Sequence, residues 1–287
     1  MNLLLDEVAR ATLRLAEAGV ASPRTDAEEL AAFVHGVRRG ELHTVADADF
    51  DARYWECVAR REAREPLQHI TGRAYFRYLE LQVGPGVFVP RPETEIMVDW
   101  AIETLRAMDV ADPLVVDLGA GSGAIAISIA QEVPRSRVHT VEIDPVALEW
   151  ARRNIESSGH GDRVTAHHAD MRTALQELNG RVDLLISNPP YVPTREATAI
   201  PPEVRDYDPA LALWSGEDGL DMIRELEAVG RRLLRPGGAM AVEHHDGQGI
   251  DIPWFFPEDK GWRDVLNRKD MARRDRFVVM RRADEDD

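Results

Sequence analysis

One cysteine, Cys57, is all that 287 residues contain. An intramolecular disulfide is therefore excluded, a multi-cysteine metal motif has no material, and a reducing compartment is the expected setting. Cys57 itself reads as a packed helix residue. Long apolar runs are missing too: Met1-Asn2-Leu3-Leu4-Leu5 is interrupted at once by Asp6 and Glu7, which fits neither a signal peptide nor a membrane span. The expected location is cytoplasmic, with no membrane partner. Positive charge is scarce, since 35 Lys plus Arg face 51 Asp plus Glu for a formal charge of −16. Such a surface repels a polyanion over most of its area, so stable nucleic-acid binding is not expected. Arg60, Arg61 and Arg64 are a local exception, and on a helix that cluster reads as a solvated face. No internal repeat is visible, and the one low-complexity segment is the acidic tail Asp284-Glu285-Asp286-Asp287.

What is present is a balanced globular composition, 44% hydrophobic and 30% charged, in a chain long enough for two domains. Leu4, Val8, Ala11 and Leu15 follow helical spacing up to Gly19. Ser22-Pro23 looks like a cap and first-turn proline for a second helix reaching Gly36, and a third runs from about Asp51 to Glu65 before Pro66. The pattern then changes. Tyr78 to Val83 and Val87-Phe88-Val89 read as extended runs about Gly84-Pro85-Gly86, a hairpin bridge. After a helix from about Glu93 to Met108, strand and helix signals alternate as in a parallel sheet covered on both faces. The strands expected are Leu114–Leu118, Val138–Ile143, Val164–His168, Val182–Ser187, Ala239–Glu243 and Phe277–Met280. This is an α/β fold with a helical domain over residues 1–75, a hairpin linker over 76–90 and a larger domain over 91–287.

Leu114–Leu118 runs directly into Gly119-Ala120-Gly121-Ser122-Gly123 and a helix. Glycines at a strand-to-helix turn remove Cβ atoms and let a ligand approach the helix N-terminus. Glu142, at the end of the next strand, is placed to accept hydrogen bonds from both hydroxyls of a ribose. Together they indicate a nucleoside cofactor, with a dinucleotide still open because Gly119-x-Gly121-x-x-Ala124 also meets the relaxed dinucleotide pattern.

The most specific feature follows the fourth strand: Asn188-Pro189-Pro190-Tyr191. Two prolines fix the backbone and leave carbonyls without competing N–H donors, while Asn188 offers a side-chain oxygen at the carboxyl end of the strand. Two oxygens can grip one NH₂ group, and Tyr191 can pack against a planar amide or base. That suits methylation of a nitrogen whose lone pair is delocalised, where positioning supplies most of the help. No histidine set forms a convincing metal site: His167 and His168 point to opposite faces of a strand, and His244-His245 lacks further ligands.

These motifs, with Glu65-Pro66-Leu67-Gln68-His69-Ile70-Thr71-Gly72 and Pro90-Arg91-Pro92-Glu93-Thr94-Glu95, resemble the HemK/PrmC family of peptide chain release factor glutamine N5-methyltransferases. The resemblance extends nearly end to end, through Arg205-Asp206-Tyr207-Asp208-Pro209, Gly216 to Asp221, Leu234 to Gly238 and Lys269 to Arg276. It implies a Rossmann-like class I methyltransferase sheet that uses S-adenosyl-L-methionine and releases S-adenosyl-L-homocysteine. The implied substrate is the glutamine of the Gly-Gly-Gln motif in class I release factors, held with help from the N-terminal helical domain. By the same resemblance, cofactor contacts fall on Gly119, Ala120, Gly121, Ser122, Gly123, Glu142 and Asn188, and the acceptor glutamine on Asn188, Pro189, Pro190 and Tyr191. Met171 stands where some relatives carry an aromatic residue against the adenine, and its side chain is able to cover a purine. Competing readings are an adenine-N6 nucleic-acid methyltransferase, a non-catalytic cofactor-binding interaction module and a nicotinamide-dependent oxidoreductase.

Overall fold

The chain was analysed as a computed structural model that describes residues 3–46 and 51–284. The last three residues of the acidic tail, 285–287, lie outside the described residues. The chain divides into two compact units, one of Met1–Arg73 with Ile200–Tyr207, the other of Ala74–Ala199 with Asp208–Asp287.

The first unit is helical: α1 (Leu3–Glu17), α2 (Pro23–His35), α3 (Arg53–Glu62), α4 (Leu67–Thr71) and the later one-turn α8 (Pro202–Arg205). Leu4, Val8, Ala11 and Leu15 form the buried stripe of α1, packed with Leu30, Tyr54 and Val58. The Tyr54 hydroxyl donates to the Ala27 carbonyl at 3.2 Å, so its polar end is satisfied inside the core. Cys57 is buried in α3 and unpaired. Ser22 precedes Pro23 as expected but makes no side-chain cap bond, whereas Gly36 ends α2 in the left-handed conformation. Arg60 stays exposed, paired with Glu65, but Arg61 corrects the expectation of a solvated face. Arg61 is buried, with Nε on Asp26 at 2.8 Å and Nη2 on Glu203 at 3.0 Å, and Arg64 grips the same Glu203 at 2.6 Å. The acidic excess supplies each guanidinium with a carboxylate, which is the condition for burying one.

The second unit begins with a hairpin of β1 (Arg73–Phe76, whose first residue belongs to the first unit) and β2 (Leu79–Gln82). Its turn lies at Arg77-Tyr78, not at Gly84-Pro85-Gly86. Tertiary contacts override turn propensity there: Arg77 adopts φ +53°, its N–H donates to Glu95 at 3.0 Å and its guanidinium to Glu132 at 2.6 Å. Val83, Val87 and Val89 are instead buried with Ala147 beneath Trp150.

Seven strands then form one sheet in the order β5-β4-β3-β6-β7-β9-β8. These are β3 (Leu114–Leu118), β4 (Arg137–Glu142), β5 (Val164–His168), β6 (Val182–Ser187), β7 (Leu234–Glu243), β8 (Trp262–Lys269) and β9 (Asp275–Arg282). The first five in that order are parallel; β9 runs antiparallel to β7, and β8 antiparallel to β9. Every residue of β6 is buried, as a central parallel strand requires. The connecting helices are α5 (Glu95–Ala107), α6 (Ala124–Glu132), α7 (Pro145–Ser158), α9 (Ala210–Leu213) and α10 (Asp221–Leu233). Asp144 caps α7, its Oδ1 accepting from the Val146 N–H at 2.7 Å, with Pro145 in the first turn. Two hydrophobic layers result, one around α5 and α6, the other around α10. The order reverses between β3, which continues to β4, and β6, which starts the other half. In open α/β sheets the carboxyl ends of the strands at such a reversal are where ligands bind.

Candidate functional site

The glycine loop sits at the end of β3. Gly119, Gly121 and Gly123 have φ of +87°, +52° and +82°, a run of left-handed residues that side chains would strain. A Cβ on Gly121 would meet nothing within 4 Å, so the loop backbone is open to a ligand there. The loop is tied down from below. Gly119 and Ala120 donate to the Val141 carbonyl, and the Asn154 side chain donates to the carbonyls of Ser122 and Gln82 at 2.9 Å each. Ala120 and Ser122 are themselves buried, so their contribution is the shape of the turn.

Glu142 ends β4 beside this loop. Its Oε2 accepts from the Gly121 N–H at 2.9 Å, and its Oε1 from the N–H groups of Ile143 and Asp144 at 2.9 and 3.0 Å. The carboxylate therefore shapes the loop while keeping lone-pair capacity on Oε2. Ile143, next along the chain, is 52% exposed. A large apolar residue held open beside the loop is one that pattern reading did not single out. Met171 follows β5 at the same edge, partly buried against Ala174 and its neighbours, with its carbonyl accepting from Arg232. Asp117, inside β3, is fully buried and takes the Thr140 hydroxyl on Oδ2 at 2.9 Å, while Oδ1 has no partner. Burial raises its pKa to about 7, against the pull of Thr140.

Asn188, Pro189, Pro190 and Tyr191 leave the end of β6. Gly119 faces the Asn188 carbonyl, so the two motifs adjoin: a Cβ there would lie 3.7 Å from that oxygen. The Asn188 amide donates from Nδ2 to Thr94 Oγ1 at 3.1 Å, which turns Oδ1 away from Thr94. Among the described residues no hydrogen bond reaches the carbonyls of Pro189 or Pro190. The Tyr191 carbonyl is already occupied by Gln248 Nε2 at 3.2 Å, and that same amide nitrogen holds the Asp218 carbonyl. The Tyr191 hydroxyl turns inward and donates to Glu243 Oε1 at 3.3 Å. Its pKa rises because of burial and the neighbouring carboxylate.

Thr94, Glu243 and Arg276 complete the surroundings of this motif, and none announced itself in the sequence as part of it. Glu243 ends β7, fully buried, with a pKa pushed up to about 7 by burial despite Thr94, Arg276 and Tyr191. Arg276, on β9, reaches Asp270 at 3.2 Å and leaves its Nε without a partner. Arg91 pairs with the buried Asp208 at 2.7 Å; burial lifts that carboxyl to about 6 despite the guanidinium. Chain-distant segments thus meet because each supplies one half of a buried polar pair. The histidines take structural partners: His139 Nδ1 lies 2.9 Å from His167 Nε2, and His244 is held by Asn267.

Comparison with known proteins agrees with this architecture. The PrmC N-terminal domain model matches residues 8–72, and the methyltransferase small domain model matches residues 82–201. The chain is 66% identical to the release factor glutamine methyltransferase of Streptomyces coelicolor over 283 residues, 99% of each chain. It is 42% identical to the 4-amino-L-phenylalanine/4-methylamino-L-phenylalanine methyltransferase of Streptomyces pristinaespiralis, covering 92% of this chain and 89% of the other. Among solved structures, the hMettl16 catalytic domain in complex with MAT2A 3'UTR hairpin 6 superposes with a TM-score of 0.58 at 14% identity. It covers 82% of this chain and 81% of that one, a likeness of fold.

Proposed function

The chain belongs to the release factor glutamine methyltransferase family, and on that premise we propose that it transfers a methyl group from S-adenosylmethionine to the side-chain amide nitrogen, N5, of the glutamine in the Gly-Gly-Gln motif of class I peptide chain release factors. The observation that carries the reading is the Asn188 amide, whose Nδ2 is committed to Thr94 so that Oδ1 is left to accept from the NH₂ of an acceptor.

The residues present fit the cofactor. The open backbone at Gly121 leaves room for it, and the remaining acceptor capacity of Glu142 suits a ribose diol. Gly119 to Gly123 would hold it with Glu142 and Asn188, and Met171 would cover the purine together with the exposed Ile143. When bound, S-adenosylmethionine supplies a methyl group activated by its sulfonium and leaves as S-adenosyl-L-homocysteine. The remaining work falls to the chain. Asn188 Oδ1 and a carbonyl of Pro189 or Pro190 accept the two N–H bonds of the glutamine amide, aiming its nitrogen and enriching its electron density. Holding an acceptor in a productive orientation has a ceiling of roughly 7–11 kcal/mol. The aromatic ring of Tyr191 packs beside the planar amide, and the product nitrogen loses its extra proton to solvent or a nearby acceptor.

The helical unit grips the protein substrate, and the second unit, which includes the hairpin rather than following a 76–90 linker, forms the methyltransferase domain. Class I release factors are the partners, stable nucleic-acid binding is not part of the function, and the setting is the cytoplasm. One observation favours a second reading, a small-molecule amine as acceptor: the 42% identity to a protein named for an amino-phenylalanine substrate. Incubation with S-adenosylmethionine and a purified release factor, followed by peptide mass spectrometry, separates the two. One added methyl on the Gly-Gly-Gln glutamine is expected; an unmodified glutamine beside a methylated arylamine would overturn the assignment.

A further inference from the structure

The amino ends of β6 and β7 lie at the far end of the sheet from Asn188, since Val182 pairs with Leu234 there and Ser187 with Val242 at the other end. Beside the amino end of β7 is a cavity of about 420 Å³, set between the last turn of α10, the turn before β8 and the end of β9. Arg231, Arg232, Lys260 and Arg282 line it against a single acid, Asp284, which is itself matched by Arg263 at 2.7 Å. Four cations around one cavity run against a formal charge of −16 for the chain. Helix C-termini attract cations, and Arg282 does cap one: its Nη1 donates to the carbonyls of Arg231 and Leu234, the latter at 2.9 Å. Capping accounts for that nitrogen alone. Among the described residues, Nε and Nη2 of Arg282 carry no hydrogen bond. Arg231 is fixed through Nε to Glu227 at 2.6 Å and keeps Nη1. Arg232 spends its two terminal nitrogens on Asn179 at 2.7 Å and the Ala174 carbonyl at 3.0 Å, and keeps Nε. Lys260 stands exposed on a separate element, and among the described residues neither it nor Arg232 nor Arg282 pairs with a carboxylate. Burial without such a partner pulls the Arg232 guanidinium below its ordinary value.

We propose that this cavity is a second binding site, for the di- or triphosphate chain of a small ligand. Each of the three guanidinium groups is anchored through part of its fork and retains an uncommitted nitrogen, a preorganisation that lowers the entropy cost of gripping an anion. Charge-assisted N–H donors from several side chains suit the many oxygens of a phosphate chain. The volume of about 420 Å³ falls within the range of small-molecule sites, roughly 300–1,000 Å³. Exposed Glu258 and Asp259 precede Lys260, and Asp284 is exposed as well. These acids, with the negative surface beyond, repel a polyanion that extends past the cavity, so a short phosphate chain is favoured over a nucleic-acid backbone. None of the lining residues belongs to the glycine loop or the acceptor motif, and the site stands apart from the methyl-transfer reading.

The test is a calorimetric titration of the full chain with tripolyphosphate in about 0.1 M salt, where exposed charges more than a Debye length apart are largely screened. S-adenosylhomocysteine is kept at saturation, so that the adenosine of a nucleotide has no second place to go. One site with a dissociation constant in the micromolar range is expected. Lys260→Glu and Arg282→Gln should each weaken it by about tenfold or more, the scale of a lost hydrogen bond to a charged group. Arg282 also caps α10, whereas Lys260 is exposed, so Lys260→Glu should keep the wild-type urea midpoint and read binding alone. ATP and GTP are titrated in the same way. Affinity equal to that of tripolyphosphate identifies the phosphate chain as the whole ligand, and tighter binding identifies a nucleotide. Sulfate binding as tightly as tripolyphosphate would overturn the proposal, and so would wild-type affinity in both variants. Failure of tripolyphosphate and both nucleotides to saturate the wild-type protein by about 1 mM, the weak end of specific binding, would do the same.

Discussion

At the scale of single residues, the proposed reading divides the two motifs into binding and transfer, and substitution should separate them. Asn188 spends Nδ2 on Thr94 and keeps Oδ1 free, so Asn188→Ala removes the acceptor's grip and leaves the glycine loop standing. Removing one preorganised hydrogen-bonding group at a reacting centre costs about 10²–10³ in kcat. A loss of that size is expected in a single-turnover methylation assay, with cofactor affinity measured calorimetrically nearly unchanged; activity equal to wild type would remove Asn188 from the mechanism. Glu142→Ala should behave in the opposite sense. Its carboxylate is bonded to Gly121, Ile143 and Asp144, and hydrogen bonds to a charged group are worth about 1.5–3 kcal/mol each, so the cofactor dissociation constant should rise by about 10- to 100-fold. An unchanged constant would refute the ribose assignment.

Among the elements, the segment from Gly216 to Asp221 shows how a connection can govern the site. Gly219 has φ +78°, and a Cβ built on it would lie 2.4 Å from the Tyr191 carbonyl and 2.7 Å from Gln248 Nε2. Gly219→Ala must therefore displace the backbone that carries Tyr191. The expected cost is about 1–3 kcal/mol in a urea titration, on the scale of strained left-handed residues. Methyl transfer should fall more steeply than cofactor binding, and a variant with wild-type kcat would show that the connection only packs. Much of this level was legible in advance. Val182–Ser187 begins and ends as its apolar run suggests, because a buried parallel strand leaves little doubt about its extent. β8 escaped notice because it is an edge strand with alternating polar residues, Trp262 being its one fully buried side chain. The hairpin turn was misplaced because Glu95 and Glu132 pin Arg77, contacts 18 and 55 residues away in sequence. The motif at Asn188 was visible as a string, whereas its support from Thr94, Glu243 and Arg276 comes from three separate segments. Only the strand order brings those segments together.

For the molecule as a whole, buried acids outweigh the usual preference for neutral pH. Asp117 and Glu243 stand at about 7 and Asp208 at about 6, all above their ordinary values of 3.8, 4.5 and 3.8. A carboxyl whose pKa is raised by folding stabilises the native state below its unfolded pKa. That contribution is lost as pH rises through the folded value, because the native state then binds protons the unfolded chain has released. Each such group contributes a slope of up to about 1.4 kcal/mol per pH unit between those two values. Asp218, lowered to about 2 by Arg224, and Asp270, lowered by Arg274 and Arg276, act in the opposite sense, but their stabilisation disappears only below the usual carboxylate range. The formal charge of −16 adds self-repulsion that also eases on acidification. Above the isoelectric point of about 5.0, where solubility is kept, the urea midpoint should therefore be higher near pH 5.8 than near pH 8. Asp117→Asn keeps an acceptor for Thr140 and removes one of the three titrations, so it should make that dependence shallower. A midpoint that climbs with pH across this window would mean the buried acids are ionised in the folded protein.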